Sequence, residues 1–303
     1  MRCCKNILFG LYLITTLSSL AQGLLPAFED TLMQEQKKLY SSGSDQEKLD
    51  ANFRLKSTFE RALSVEHSFD YSFDSLKEIG RIYSPDKAFR IINWDLARND
   101  GTHDYFGFIQ VYNIKKKTYL LYFLTDKSAD IKNAENAIGD ANKWFGMLYY
   151  KIIPVKVKGK KYYTLLGFDG NDKLTSKKII DVLSFNTDGS PRFGADLFKL
   201  EKKSPKRVIF EYAAQAVMSL KYNEDTRQIM FDHLSPSEPK LEGQFQYYGP
   251  DFSFDALEFK KGKWVYTPDV DARNKSSSKD NRYKDPKDKS KDHTSKQIYK
   301  SPE

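Results

Sequence analysis

Through the middle of the chain, hydrophobic and polar positions alternate with a period of two. Val155 and Val157 are interleaved with Lys156 and Lys158, the pattern of a half-buried strand. A Lys158-Gly159-Lys160 turn follows, and then an apolar run over 162–168. Asp169-Gly170-Asn171-Asp172 breaks that run, a further run covers 179–185, and Asp188-Gly189 breaks it again. Gly, Asn and Asp reach positive φ at low cost, so these breaks predict hairpins. Other strands are expected over 88–94, 228–233, 254–259 and 264–267, with one bent strand or two over 207–222. Residues 105–114 and 118–125 read as a hairpin turning over 115–117. A polar loop is expected over 95–104 and a short crossing helix over 130–144.

Ahead of this region the period lengthens to that of a helix. Leu25, Phe28, Leu32 and Leu39 form one stripe, which Ser41-Ser42-Gly43 ends. Ser44-Asp45-Gln46-Glu47 has the spacing of a capping box, with a hydroxyl placed for the third amide. Leu49, Phe53, Leu55, Phe59, Ala62 and Leu63 then make a broad apolar stripe, which predicts a second helix lying on a large apolar surface. The pattern predicts a mainly β protein: an antiparallel meander, sandwich or barrel-like fold carrying an N-terminal helical hairpin. A propeller is the alternative, because AFRIINWDLARND (88–100) and YYTLLGFDGND (162–172) echo one another. The expected organisation is a signal peptide over 1–21, the hairpin over 22–75, the β domain over 76–271 and a disordered basic tail over 272–303.

The two ends change the picture of charge and compartment. Arg2 and Lys5 precede an apolar run over 7–20, and Ser19 and Ala21 are small residues suited to a cleavage junction before Gln22. The run of about 14 residues falls short of the ~20 needed to span a bilayer, and no later run could span one. Export follows as the expectation: periplasmic, outer-envelope-associated or secreted. Both cysteines, Cys3 and Cys4, fall in the segment to be removed, so the mature chain has no thiol chemistry. The net charge of +8 suggests nucleic acid, but residues 272–303 hold 10 basic and 5 acidic residues. Without the two ends the body sits near +1, too little excess to drive phosphate binding, and no nucleic-acid partner is expected. The tail has almost no apolar residues and cannot offset its ordering entropy.

Candidate chemistry is sparse. There is no G-x-S-x-G, H-E-x-x-H, P-loop or G-x-G-x-x-G pattern, and no cofactor is expected. The four histidines, His67, His103, His233 and His293, are not spaced as local metal ligands. His233 and His103 are the candidate catalytic bases, with Asp95, Asp251 and Asp255 as candidate carboxylates. Asp232 and His233, as neighbours on a strand, point to opposite faces and cannot pair. Asp169, Asn171 and Asp172 offer clustered oxygens of the kind calcium takes, although turn chemistry alone accounts for them. Tyr247, Tyr248 and Phe252 sit in an aromatic loop that could form a platform for a glycan or peptide.

YYTLLGFDGND, KIIDVLSFNTDGSPRFG, MFDHLSP, YYGPDFSFDA and DVDARN together resemble a group of uncharacterised exported proteins of Bacteroidota-type bacteria. That resemblance covers about residues 147–274 and implies no activity and no site residue. The expected function is a non-catalytic binding or structural protein of the cell envelope or exterior. The alternative is a hydrolase using Asp and His residues at strand ends.

Overall fold

The computed structural model describes residues 4–113 and 118–271, with the backbone alone for 4–22. The turn expected at 115–117 and the tail expected over 272–303 lie outside the described residues, as do the first three residues of the expected signal peptide.

Two helices open the chain, α1 (Cys4–Ser41) and α2 (Asp45–Leu63). The capping box forms as the spacing predicts, with Ser44 Oγ accepting from the Glu47 amide at 3.3 Å. Leu25, Leu32 and Leu39 are buried at seven-residue intervals on α1. They meet Ala51, Leu55, Phe59 and Ala62 of α2, so the hairpin closes on its own apolar seam. Phe53 does not belong to the stripe and is 71% exposed.

The rest is antiparallel β with short connections. The strands are β1 (Gly80–Tyr83), β2 (Phe89–Ala97), β3 (His103–Asn113), β4 (Thr118–Thr125), β5 (Gly139–Asp140), β6 (Leu148–Val157), β7 (Lys160–Asp169) and β8 (Thr175–Phe185). They continue as β9 (Pro191–Phe193), β10 (Phe198–Lys199), β11 (Val208–Ala213), β12 (Leu220–Asn223), β13 (Gln228–Pro236), β14 (Tyr248–Lys260) and β15 (Lys263–Thr267). The first sheet runs β1-β2-β3-β4 and the second β5-β9-β8-β7-β6, with β11 added along β8. The third runs β10-β15-β14-β13-β12, and its two-residue β10–β15 contact is parallel. The chain is mainly β, with a helical hairpin and no closed barrel.

Period-two alternation explains how these parts stack. On β2, Ile92 and Trp94 face the helices, while Phe89 and Ile91 face the second sheet. On β7 and β8, Leu165 and Ile179 pack toward the first sheet, and Leu166 and Ile180 toward the third. The order is therefore helices, first sheet, second sheet, third sheet, with a separate apolar core at each junction. The second sheet is apolar on both faces. This is why 179–185 reads as a nearly continuous apolar run and not as an alternating one.

The helix expected over 130–144 does not form. Asn133 adopts a left-handed φ of 50°, its side chain accepts from Asn136 Nδ2, and Asp140 Oδ1 accepts from the Asn142 and Lys143 amides. Local side-chain hydrogen bonds of this kind compete with helix formation. The loop expected over 95–104 shrinks to a tight turn, because Asp95, Leu96, Ala97, His103 and Asp104 all pair in the β2–β3 ladder.

Candidate functional site

The ladder places His103 and Tyr105 two residues apart on β3, so both side chains leave the same face. Asp95 on β2 lies in register with Tyr105, two residues along from the Ala97–His103 pair. Its Oδ2 is 2.7 Å from His103 Nδ1. Asp169, the last residue of β7, comes from the second sheet. Tyr105 Oη donates to Asp169 Oδ1 at 2.8 Å and accepts from the Gly170 amide at 2.8 Å. The imidazole and phenol rings are stacked, 15° from parallel. The aspartates at the eighth position of each echoed segment, Asp95 and Asp169, thus meet at one histidine–tyrosine pair, each fixing one ring.

Gly170 matters here through close approach. A Cβ at that position would lie 2.5 Å from His103 Nε2, so only glycine lets the β7–β8 turn close against the imidazole. The left-handed residue of the turn is Asn171, at φ 52°.

A cavity of about 580 Å³ opens beside these groups, with His103, Tyr105, Asp126, Asp169 and Lys177 in its polar wall and Phe106, Phe123 and Phe145 in its apolar one. Lys177 Nζ donates to Asn171 Oδ1 at 2.6 Å and lies 4.0 Å from both Asp169 Oδ2 and Glu211 Oε2. Asp126 accepts from the Ser128 amide and hydroxyl and from the Gly146 and Tyr105 amides. Arg98 pairs with Asp104 at 2.5 Å, and Lys127 with Asp130 at 3.4 Å. His103 Nε2 has no protein partner among the described residues. The hydrogen bond to Asp95 raises the His103 pKa above its ordinary value, and burial pushes the Asp169 carboxyl up.

The calcium candidates serve the turn and do not converge on a point. Asp169 Oδ1 takes the Asn171 amide as well as Tyr105. Asp172 Oδ1 caps the Leu174 and Thr175 amides at 2.8 and 2.9 Å, and Asn171 Oδ1 holds the Lys177 ammonium. A protein cation stands where a metal would need those oxygens. Among the described residues no group of three or more His, Cys, Asp or Glu side chains is placed to hold a metal ion.

His233 forms a second pair on the third sheet, again with one of the sequence candidates. Its Nδ1 is 2.7 Å from Asp255 Oδ2. Asp232 points the other way, as strand geometry requires, and takes the Ser219 amide. Asp251 does not join the pair; its oxygens accept from Ser253 and Ser235. In the aromatic loop, Tyr247 and Tyr248 line a shallow hollow of about 470 Å³ with Gln215, Gln246 and Asp251. Phe252 is not among its walls and is 95% exposed.

Tyr105, Lys177 and Tyr266 were not candidates in the sequence. Tyr105 stands two residues from His103, but His103 falls in the loop expected over 95–104 and not on the strand expected from 105, so the spacing carries no signal. Comparison with protein-family models, curated proteins and solved structures returns no match.

Proposed function

We propose that this chain is an exported, non-catalytic binding protein whose His103 cavity holds a neutral, polyhydroxylated ligand of the glycan class. The observation that carries the reading is the compensation of charge in the wall. Arg98, Lys127 and Lys177 each face a carboxylate, and His103 is matched by Asp95. Little charge is left over to select an ion. The cavity offers instead fixed donors and acceptors beside phenylalanine side chains, which is what a sugar with apolar faces and ring hydroxyls needs. Titration with glucose, N-acetylglucosamine and cellobiose, followed through the His103 ring proton by NMR, should give saturable shifts. His103→Ala and Lys177→Met should remove binding of the same sugars in calorimetry. Tighter binding of acetate or methylammonium than of any sugar would defeat the assignment.

One feature favours a second reading. An aspartate on Nδ1 with Nε2 unpartnered is the arrangement of a general base that could activate water. His103-dependent release of new reducing ends from an oligosaccharide would replace binding with hydrolysis.

Export rests on the N-terminal pattern and on Pro26. Pro26 lies well inside α1 as it stands, where proline costs about 3 kcal/mol. In a chain starting at Gln22 it is the fifth residue, and a helix beginning at Leu24 would hold it in the first turn, where its missing N–H costs little. N-terminal sequencing of protein from an exporting host should read Gln22 first; an intact Met1 would contradict export.

A further inference from the structure

The cleft beside His233 is chemically unlike the His103 cavity. Its apolar walls are Val208, Phe210, Phe231, Leu234 and Leu257, with Glu201, Lys202 and Lys203 along one rim, and its volume is about 470 Å³, within the range of small-molecule sites. No Ser, Thr or Cys lines it, and the Tyr266 hydroxyl in its lining donates to Asp255. Its polar end is built around one buried carboxylate. Asp255, 5% exposed in its side chain, accepts from His233 Nδ1 at 2.7 Å, from Tyr266 Oη at 2.8 Å and from the Asp269 amide at 3.1 Å. These donors satisfy Asp255 and lock the imidazole, while His233 Nε2 keeps no protein partner among the described residues. The nearby Asp251 carboxylate is held by its own serines. The hydrogen bond to Asp255 raises the His233 pKa, which favours a proton on Nε2 and so a donor at the cleft.

The β ladder is interrupted at the same place. Pairing jumps from Asp232–Phe254 to Leu234–Pro250, so Asp251, Phe252 and Ser253 stand opposite His233 alone. Such bulges re-aim side chains beside sites. Phe252 in this bulge is held at φ 71° with its ring in solvent, a conformation that a bulky residue adopts only when its surroundings impose it.

We propose that this cleft is a separate binding site for an acyl chain headed by a carbonyl oxygen, with the chain against Phe210 and Phe231 and the oxygen accepting from His233 Nε2. The head group can come from a free fatty acid or from its ester. Both present the same acceptor, and the hydrocarbon body matches the wall.

The test uses the full chain and three probes of equal length: octanoate, methyl octanoate and octane. Expected are saturable shifts of the His233 ring proton and nuclear Overhauser contacts from the chain methylenes to the Phe210 and Phe231 rings, for at least one of the two carbonyl probes. Octane should bind at least tenfold more weakly, and His233→Leu should bring the carbonyl probes down to the level of octane. Octanoate binding well above the ester assigns the free acid, and the reverse assigns the ester. If octane binds as tightly as both carbonyl probes, or if no probe contacts Phe210 or Phe231 in the unmodified chain, the proposal is overturned. The contacts are read without any substitution, so a variant that fails to fold does not blur the outcome.

Discussion

Replacing Arg207 with leucine should destabilise the protein by about 3–5 kcal/mol, the cost of stranding a buried charge. Arg207 and Asp181 are 1% and 0% exposed in their side chains and meet at 2.8 Å in the second sheet. Asp181 also takes the Val182 amide. The guanidinium also donates to the Ala134 carbonyl and lies over the Phe145 ring at 4.9 Å. It thereby ties the irregular 130–144 segment to the β8–β11 pair. Without it, the Asp181 carboxylate stays in a core walled by apolar strands, with the Val182 amide as its one remaining donor among the described residues. Arg207→Leu combined with Asp181→Leu should recover most of the loss, because no charge is then left uncompensated. Urea melts of the two singles and the double would check this. A single variant within 1 kcal/mol of the parent would show that water reaches the pair.

The helix–sheet junction was legible in the sequence and the two sheet–sheet junctions were not. The helical stripe with its capping box, and the turns at 158–160 and 169–172, gave elements that the structure keeps. Alternation on β2 could show that both of its faces are occupied. What covers each face could not be read, because stacking order is a matter of long-range pairing that no local pattern encodes. The 130–144 segment misleads for a different reason. Its apolar residues Ile131, Ala134, Ala137 and Ala141 fit a helical spacing, while its Asn and Asp side chains bond their own turns. Local polar chemistry outweighed periodicity there.

The site was legible as residue types and not as partners. His103, His233, Asp95 and Asp255 stand out by type. That Asp95 belongs with His103 and Asp255 with His233 follows from register: Asp95 pairs with Tyr105 and Asp255 with Phe231, each two residues from the histidine it meets. The echo between 88–100 and 162–172 carried information after all. Its matching aspartates, Asp95 near the end of β2 and Asp169 at the end of β7, lie in different sheets and arrive at the same histidine–tyrosine pair. Tyr105 was invisible beforehand because an aromatic on a strand is ordinarily core, and this one is buried as well, at 3% exposure.

Gly170→Val should lower stability by about 1–3 kcal/mol, the usual range for forcing extra atoms into a filled site, and should abolish ligand binding in the His103 cavity. The added Cβ alone would stand 2.5 Å from His103 Nε2 and 2.8 Å from the neighbouring ring carbons. Either the imidazole swings off Asp95 or the turn lifts and breaks the Gly170–Tyr105 hydrogen bond. A pH series separates the two. The His103 pKa in the folded protein lies above the ordinary value of 6.5, mainly through its hydrogen bond to Asp95. A histidine with a raised folded-state pKa contributes stability that is complete below the unfolded value and is lost as pH rises through the folded one. Parent stability should therefore decline as pH rises above the ordinary histidine value of 6.5, with His233 adding a decline of the same sign. If Gly170→Val detaches His103, its share vanishes and the decline becomes shallower, leaving the part due to His233. If the turn lifts while the Asp95–His103 pair survives, the variant is weaker at every pH with an unchanged slope. The first outcome is expected, because the imidazole is held by one side-chain hydrogen bond, whereas the turn is fixed by the Asp169, Asp172 and Lys177 contacts together.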